Sequence, residues 1–128
     1  MIYNKVSIWD FLMASQRNMQ QEDTRLRVLR LIENHPKIST RKIANSVGIS
    51  NGSAYYIVRA LIEKGFLKID NFKKSHNKIK YVYLLTPKGI IEKSQLTKSF
   101  IKRRKIEFLN LELEIQSLEE EYLYDLNP

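Results

Sequence analysis

The sequence predicts a mainly α-helical fold carrying one small β-hairpin, and three observations lead there. Apolar residues recur at three- and four-residue spacing through residues 26–32, 43–47 and 54–62, the period of helices that bury one face. After Gly65 the pattern changes to two short runs rich in β-branched and aromatic residues, 66–69 and 79–85, on either side of a polar, basic stretch. Beyond Gly89 neither proline nor glycine interrupts a helical pattern that reaches Tyr122.

Residues 1–21 are the least periodic part. Ser7 followed by Asp10 resembles a capping box, and Ile2, Val6, Trp9 and Met13 would share one helical face. This segment reads as a leader or as a short helix that contacts a partner subunit. Asp10 interrupts its apolar stretch and no small-residue cleavage site follows, which argues against a signal peptide. From Glu22 a first firm helix is expected, with Glu22 and Asp23 as acidic groups at its start and His35-Pro36 ending it. Ser39 should cap a second, short helix to about Val47, and Gly48 fits the left-handed position that closes it. Ser50 should cap a third helix to Lys64, with Ala54, Ile57, Val58, Leu61 and Ile62 facing inward and Gly65 ending it. A hairpin follows, tipped by residues 71–78, and Thr86-Pro87 opens the long last helix with a capping hydroxyl and a first-turn proline.

Three helices, a glycine-punctuated turn and a hairpin in this order describe a winged helix-turn-helix, residues 22–89. Residues 90–128 form a coiled-coil-like C-terminal helix with an acidic tail. Ala44 is small where two helices must cross closely, Gly48 makes the turn, and Ile43, Val47 and Ile49 lock the pair. Charge points the same way. All 22 Lys and Arg lie within the first 105 residues beside seven acidic groups, giving that stretch +15, while the remaining tail carries −7. A basic body on that scale suits a polyanion, and double-stranded DNA is the partner expected. Residues early in a recognition helix meet base edges, so Asn51, Ser53, Tyr55 and Tyr56 are the readout candidates. Thr40, Arg41, Lys42 and Arg59, with Lys73, Lys74, Lys78 and Lys80 on the wing, are placed for backbone phosphate. Gly52 would let the helix start approach the duplex closely.

Other chemistry lacks its residues. The sequence has no cysteine and only two distant histidines, so no cofactor or structural zinc is expected; the missing cysteine also fits a reducing cytoplasm. No glycine-rich phosphate loop, nucleophile elbow or carboxylate pair suggests an enzyme, and no apolar run of ~20 residues suggests a membrane span.

Several segments resemble the MarR family of bacterial transcription regulators. They are Ile49-Ser50 with Ala54 and Ile57-Val58 through Leu61, then Glu63-Lys64-Gly65-Phe66-Leu67, and Leu85-Thr86-Pro87-Lys88-Gly89. The branch associated with extracellular polysaccharide gene clusters is closer still, through Ala60-Leu61-Ile62-Glu63-Lys64-Gly65, Asn71-Phe72-Lys73 and Tyr83-Leu84-Leu85-Thr86-Pro87-Lys88-Gly89. The resemblance spans roughly residues 22–122. It implies a homodimer, recognition helices in major grooves, wings at flanking minor grooves and a palindromic site, with repression the commoner mode. The family's wing usually carries an Asp-x-Arg pair; here Asn77 and Lys78 stand without an arginine, so lysine on phosphate replaces arginine in the minor groove. Relatives sense small phenolic or oxidising signals. Without cysteine a thiol switch is excluded, and the identity of any effector stays open.

In the last helix Ile101, Phe108, Leu111, Ile115, Leu118 and Tyr122 follow alternating three- and four-residue spacings, interrupted by Arg104, and predict a dimer seam. A parallel pair would oppose Glu107 to Glu112 and Glu114 to Glu119, whereas an antiparallel pair sets each basic stretch, 98–105, against the other's acidic one. Antiparallel pairing is therefore expected. Two other functions use the same features: an architectural protein binding DNA without sequence preference, and a protein-interaction adaptor working through the long helix.

Overall fold

The computed structural model describes residues 8–73 and 79–128. Its elements run α1 (Ile8–Asn34), α2 (Thr40–Val47), α3 (Asn51–Glu63), β1 (Leu67–Lys73), β2 (Ile79–Leu85) and α4 (Pro87–Leu126). The chain divides into two compact units, Met1–Leu96 and Thr97–Pro128.

The first unit departs from the sequence expectation at its start. Glu22 and Asp23 do not open a helix; they lie inside α1, partly buried. No glycine or proline occurs between residues 8 and 34, so nothing local stops the helix from extending back to Ile8. Only the second half of α1 enters the core, through Leu26, Val28, Leu29 and Ile32, while Ile8, Trp9, Leu12 and Met13 are exposed. Pro36 ends the helix as predicted.

The middle of the unit follows its local signals. Ser39 accepts a hydrogen bond from the Lys42 amide at 3.2 Å and caps α2, and Ser50 accepts one from the Ser53 amide at 3.0 Å and caps α3. Gly48 sits at φ +78°, and its amide and that of Ile49 both donate to the Ala44 carbonyl, which fixes the sharp turn between the two helices. Ile43 and Ala44 of α2 meet Ala54, Val58 and Leu61 of α3 in the core, while Ile57 and Ile62 are half-buried.

β1 and β2 pair antiparallel, from Leu67 opposite Leu85 to Lys73 opposite Ile79. β1 is longer than the sequence suggested, and residues 71–73, expected in the hairpin tip, belong to the ladder. The Tyr83 amide donates to the Pro36 carbonyl at 2.9 Å, so the far edge of β2 is tied to the link after α1. At the start of α4 the Thr86 hydroxyl accepts from the Gly89 amide at 3.0 Å, and the Thr86 amide donates to the Phe66 carbonyl at 3.0 Å. Leu96 is buried, and two ion pairs link α4 to α1: Arg25 to Glu92 at 3.2 Å and Lys93 to Glu33 at 3.0 Å. Partly exposed pairs of this kind contribute at most ~1 kcal/mol each, so the apolar contacts and Gly89's close approach dominate the join.

The second unit is helical to Leu126, four residues past the expected end, and none of its residues is buried. Arg104 stacks 4.8 Å from the Phe100 ring centroid and pairs with Glu107 at 2.9 Å. The seam residues Ile101, Phe108, Leu111, Ile115, Leu118 and Tyr122 are all exposed along it, as are Ile106, Leu109 and Leu113 on another face.

Candidate nucleic-acid interface

The capped start of α3 presents the expected residues to solvent. Asn51, Gly52 and Ser53 form its exposed first turn, and a Cβ added at Gly52 would meet nothing within 4 Å. Ser53 is also part of the cap, because its hydroxyl accepts from Ser50 Oγ at 2.9 Å. One turn on, Tyr55 is 58% exposed and Tyr56 74%. The two rings leave the helix about 100° apart and serve different flanks. Tyr56 rims a groove of about 820 Å³ between α1 and α3, floored by Ile57, Ala60 and Leu61. Tyr55 lies on the hairpin side, close enough to Tyr83 for their charges to interact and in hydrogen-bond reach of Arg59. Neither ring serves the core.

Arg59 is engaged in a way the sequence analysis did not foresee. Its Nε donates to Glu63 Oε1 at 3.2 Å, one helical turn away. Glu63 first, and then Tyr55, hold its guanidinium above its ordinary pKa. The i,i+4 spacing was visible in sequence and is the one signal that could have found the pair. A phosphate approaching Arg59 must therefore compete with Glu63.

Of the other predicted backbone contacts, Arg41 and Lys42 are exposed on the first turn of α2, while Thr40 is half-buried beside them. Lys73 and Lys80 lie within the ladder, opposite Ile79 and Phe72 respectively. Lys74 and Lys78, with His76 and Asn77, fall outside the described residues.

β2 adds two residues that sequence reasoning missed. Tyr81 is 55% exposed and Tyr83 partly buried; burial, then Tyr81 and Tyr55, push the Tyr83 phenol above its ordinary pKa. The sequence placed both in the second strand and assigned neither a role. Among the described residues no three His, Cys, Asp or Glu cluster as metal ligands, and no helix is long and apolar enough to cross a membrane.

Residues 21–68 match the family model described as winged helix-turn-helix DNA-binding. That match runs from the core half of α1 through both helices of the turn into β1. Among solved structures, the chain is similar to the adhesin competence repressor AdcR of Streptococcus pyogenes, with TM-score 0.60 and 15% identity over 82% of this chain and 76% of that one. Staphylococcus aureus MarR in complex with salicylate and kanamycin gives TM-score 0.53 and 17% identity over 83% and 72%. A mutant of S. aureus MepR bound to an oligodeoxyribonucleotide gives 0.50 and 13% over 96% and 100%. At these identities the likeness establishes the fold, a winged helix-turn-helix of the kind seen in MarR-type regulators. No curated protein matches the chain by sequence.

Proposed function

We propose that this protein is a MarR-type transcription regulator that binds double-stranded DNA as a homodimer and reads its sequence with α3. The observation that carries the reading is the exposed, serine-capped first turns of α3, bearing Asn51, Ser53 and Tyr56, with Arg41 and Lys42 exposed at the start of α2. Asparagine can pair bidentately with adenine in the major groove, and the basic groups fix register on phosphate. The +15 charge of the first 105 residues supports a polyanionic partner, and the oligonucleotide-bound MepR structure shares the fold.

A second copy is the partner we assign to the exposed seam of α4. Ile101, Phe108, Leu111, Ile115, Leu118 and Tyr122 are about half or more exposed, and full burial of each such side chain is worth ~1.5–3 kcal/mol. The basic 98–105 and acidic 107–125 stretches favour antiparallel pairing. Repression is the mode assigned by analogy, and the resemblance around residues 60–65 and 83–89 points to polysaccharide biosynthesis genes as targets.

The test is selection from a randomised duplex pool at about 150 mM salt, where nonspecific binding is already weakened. A two-fold-symmetric motif with half-sites about one helical turn apart is expected. Binding without any motif would overturn sequence reading and leave an architectural role.

A further inference from the structure

The recognition helix and the hairpin share an aromatic patch that the reading above does not use. Leu67 and Leu85 are partners at the end of the ladder away from the hairpin tip, and Leu67 is buried, so that face of the hairpin lies on the core. Strand alternation places Tyr83 and then Tyr81 on the same face, each ~7 Å further out. Tyr83 is still half-covered, but Tyr81 has passed the edge of the core and is 55% exposed. From the other side Tyr55 leaves α3 at 58% exposure, within electrostatic range of Tyr83. Ile69, opposite Tyr83, is exposed beside them. Tyr81, Tyr83 and Ile69 thus share one face of the hairpin, and Tyr55 leaves α3 exposed on the hairpin side.

We propose that Tyr81 and Tyr55 together form a docking site for the sugar–phosphate backbone of the DNA strand that passes between the recognition helix and the wing. The inference rests on the DNA-binding reading above and adds a contact surface to it. With α3 in a major groove, the strand that borders the groove on the hairpin's side runs past the angle between helix and hairpin. A tyrosine suits that position because its ring packs on the sugar while its hydroxyl donates to a phosphate oxygen. Such a contact places the duplex but carries no sequence information. Tyr55 therefore moves from base readout to backbone, leaving Asn51, Ser53 and Tyr56 to the bases. Tyr83 fixes the strand behind them: its amide is tied to Pro36 and its side chain is partly buried.

The experiment compares wild type, Tyr81→Phe, Tyr55→Phe and the double variant by fluorescence anisotropy on two labelled duplexes of equal length, one recovered by selection and one unrelated. Both phenylalanines keep the ring at exposed positions, and thermal melting checks that each variant folds as wild type does. A hydrogen bond to a charged acceptor, partly replaced by water, leads to an expected loss of roughly 5- to 10-fold for Tyr81→Phe. The loss should be equal on both duplexes, so their affinity ratio stays unchanged. The salt dependence should also keep its slope, because a neutral phenol releases no counterion. Wild-type affinity in the double variant would overturn the proposal, as would a loss confined to the selected duplex, which would mark a base contact. If wild type binds neither duplex, the DNA-binding reading itself falls, and this inference with it.

Discussion

Replacing Gly89 with alanine pits two physical effects of opposite sign against each other. Gly89 lies in the first turn of α4, where helix propensity alone favours alanine by about 1 kcal/mol. The structure says otherwise. A Cβ at this position would stand 2.0 Å from the Phe66 carbonyl oxygen, 2.9 Å from its carbon and 3.2 Å from its Cα. All three are backbone atoms, so no side-chain rotation relieves the clash. The oxygen must retreat roughly 1.4 Å to reach ordinary contact, and it is also the acceptor for the Thr86 amide at 3.0 Å. Overpacking costs ~1–3 kcal/mol and a lost hydrogen bond a further ~0.5–1.5 kcal/mol. After subtracting the propensity gain, Gly89→Ala should destabilise the protein by about 0.5–3.5 kcal/mol. Urea denaturation followed by circular dichroism measures this directly, with Gly52→Ala as control because open space surrounds that glycine. Gly52→Ala should leave stability unchanged or raise it by up to ~1 kcal/mol. A Gly89→Ala protein as stable as wild type would refute the close approach of α4 to the turn before β1.

Three further outcomes follow from the same geometry. Ser50→Ala removes the acceptor for the Ser53 amide and should cost about 1 kcal/mol in denaturation, while loosening the first turn of α3 and weakening DNA binding. Glu63→Gln releases Arg59 from its ion pair, so affinity for any duplex should rise about two- to fivefold, with a steeper salt dependence in anisotropy titrations. Leu111→Glu puts a charge into the seam of both copies, and losing ~1.5–3 kcal/mol of burial on each should raise the dimer dissociation constant at least 100-fold in analytical ultracentrifugation.

What was legible in the sequence depended on how local its cause was. Ser39, Gly48, Ser50 and Gly65 each satisfy or redirect backbone within a few residues, and the helix-turn-helix they delimit stands where the sequence put it. The start of α1 was not legible, because acidic residues such as Glu22 also occur inside helices and no breaker precedes them. Long-range features were hidden for a different reason. The bridge from Arg25 to Glu92 and the tie from Tyr83 to Pro36 join residues far apart in the chain. The need for glycine at 89 arises only when α4 meets Phe66. The basic residues of the site were readable from composition and position, but Arg59's engagement with Glu63 and Tyr55 reduces its freedom in a way charge counting misses. Tyr81 was missed because where the core ends along a strand is set by packing against distant residues, and here it ends before that residue.

The central claim is that the first turns of α3 read base edges, and Asn51→Ala tests it most directly. Its affinity should be measured on the duplex recovered by selection and on an unrelated duplex of the same length. A good bidentate pair discriminates by ~1–3 kcal/mol, so the account predicts a loss of about 10-fold or more on the selected duplex and almost none on the other. Equal loss on both, or no loss on either, would contradict it.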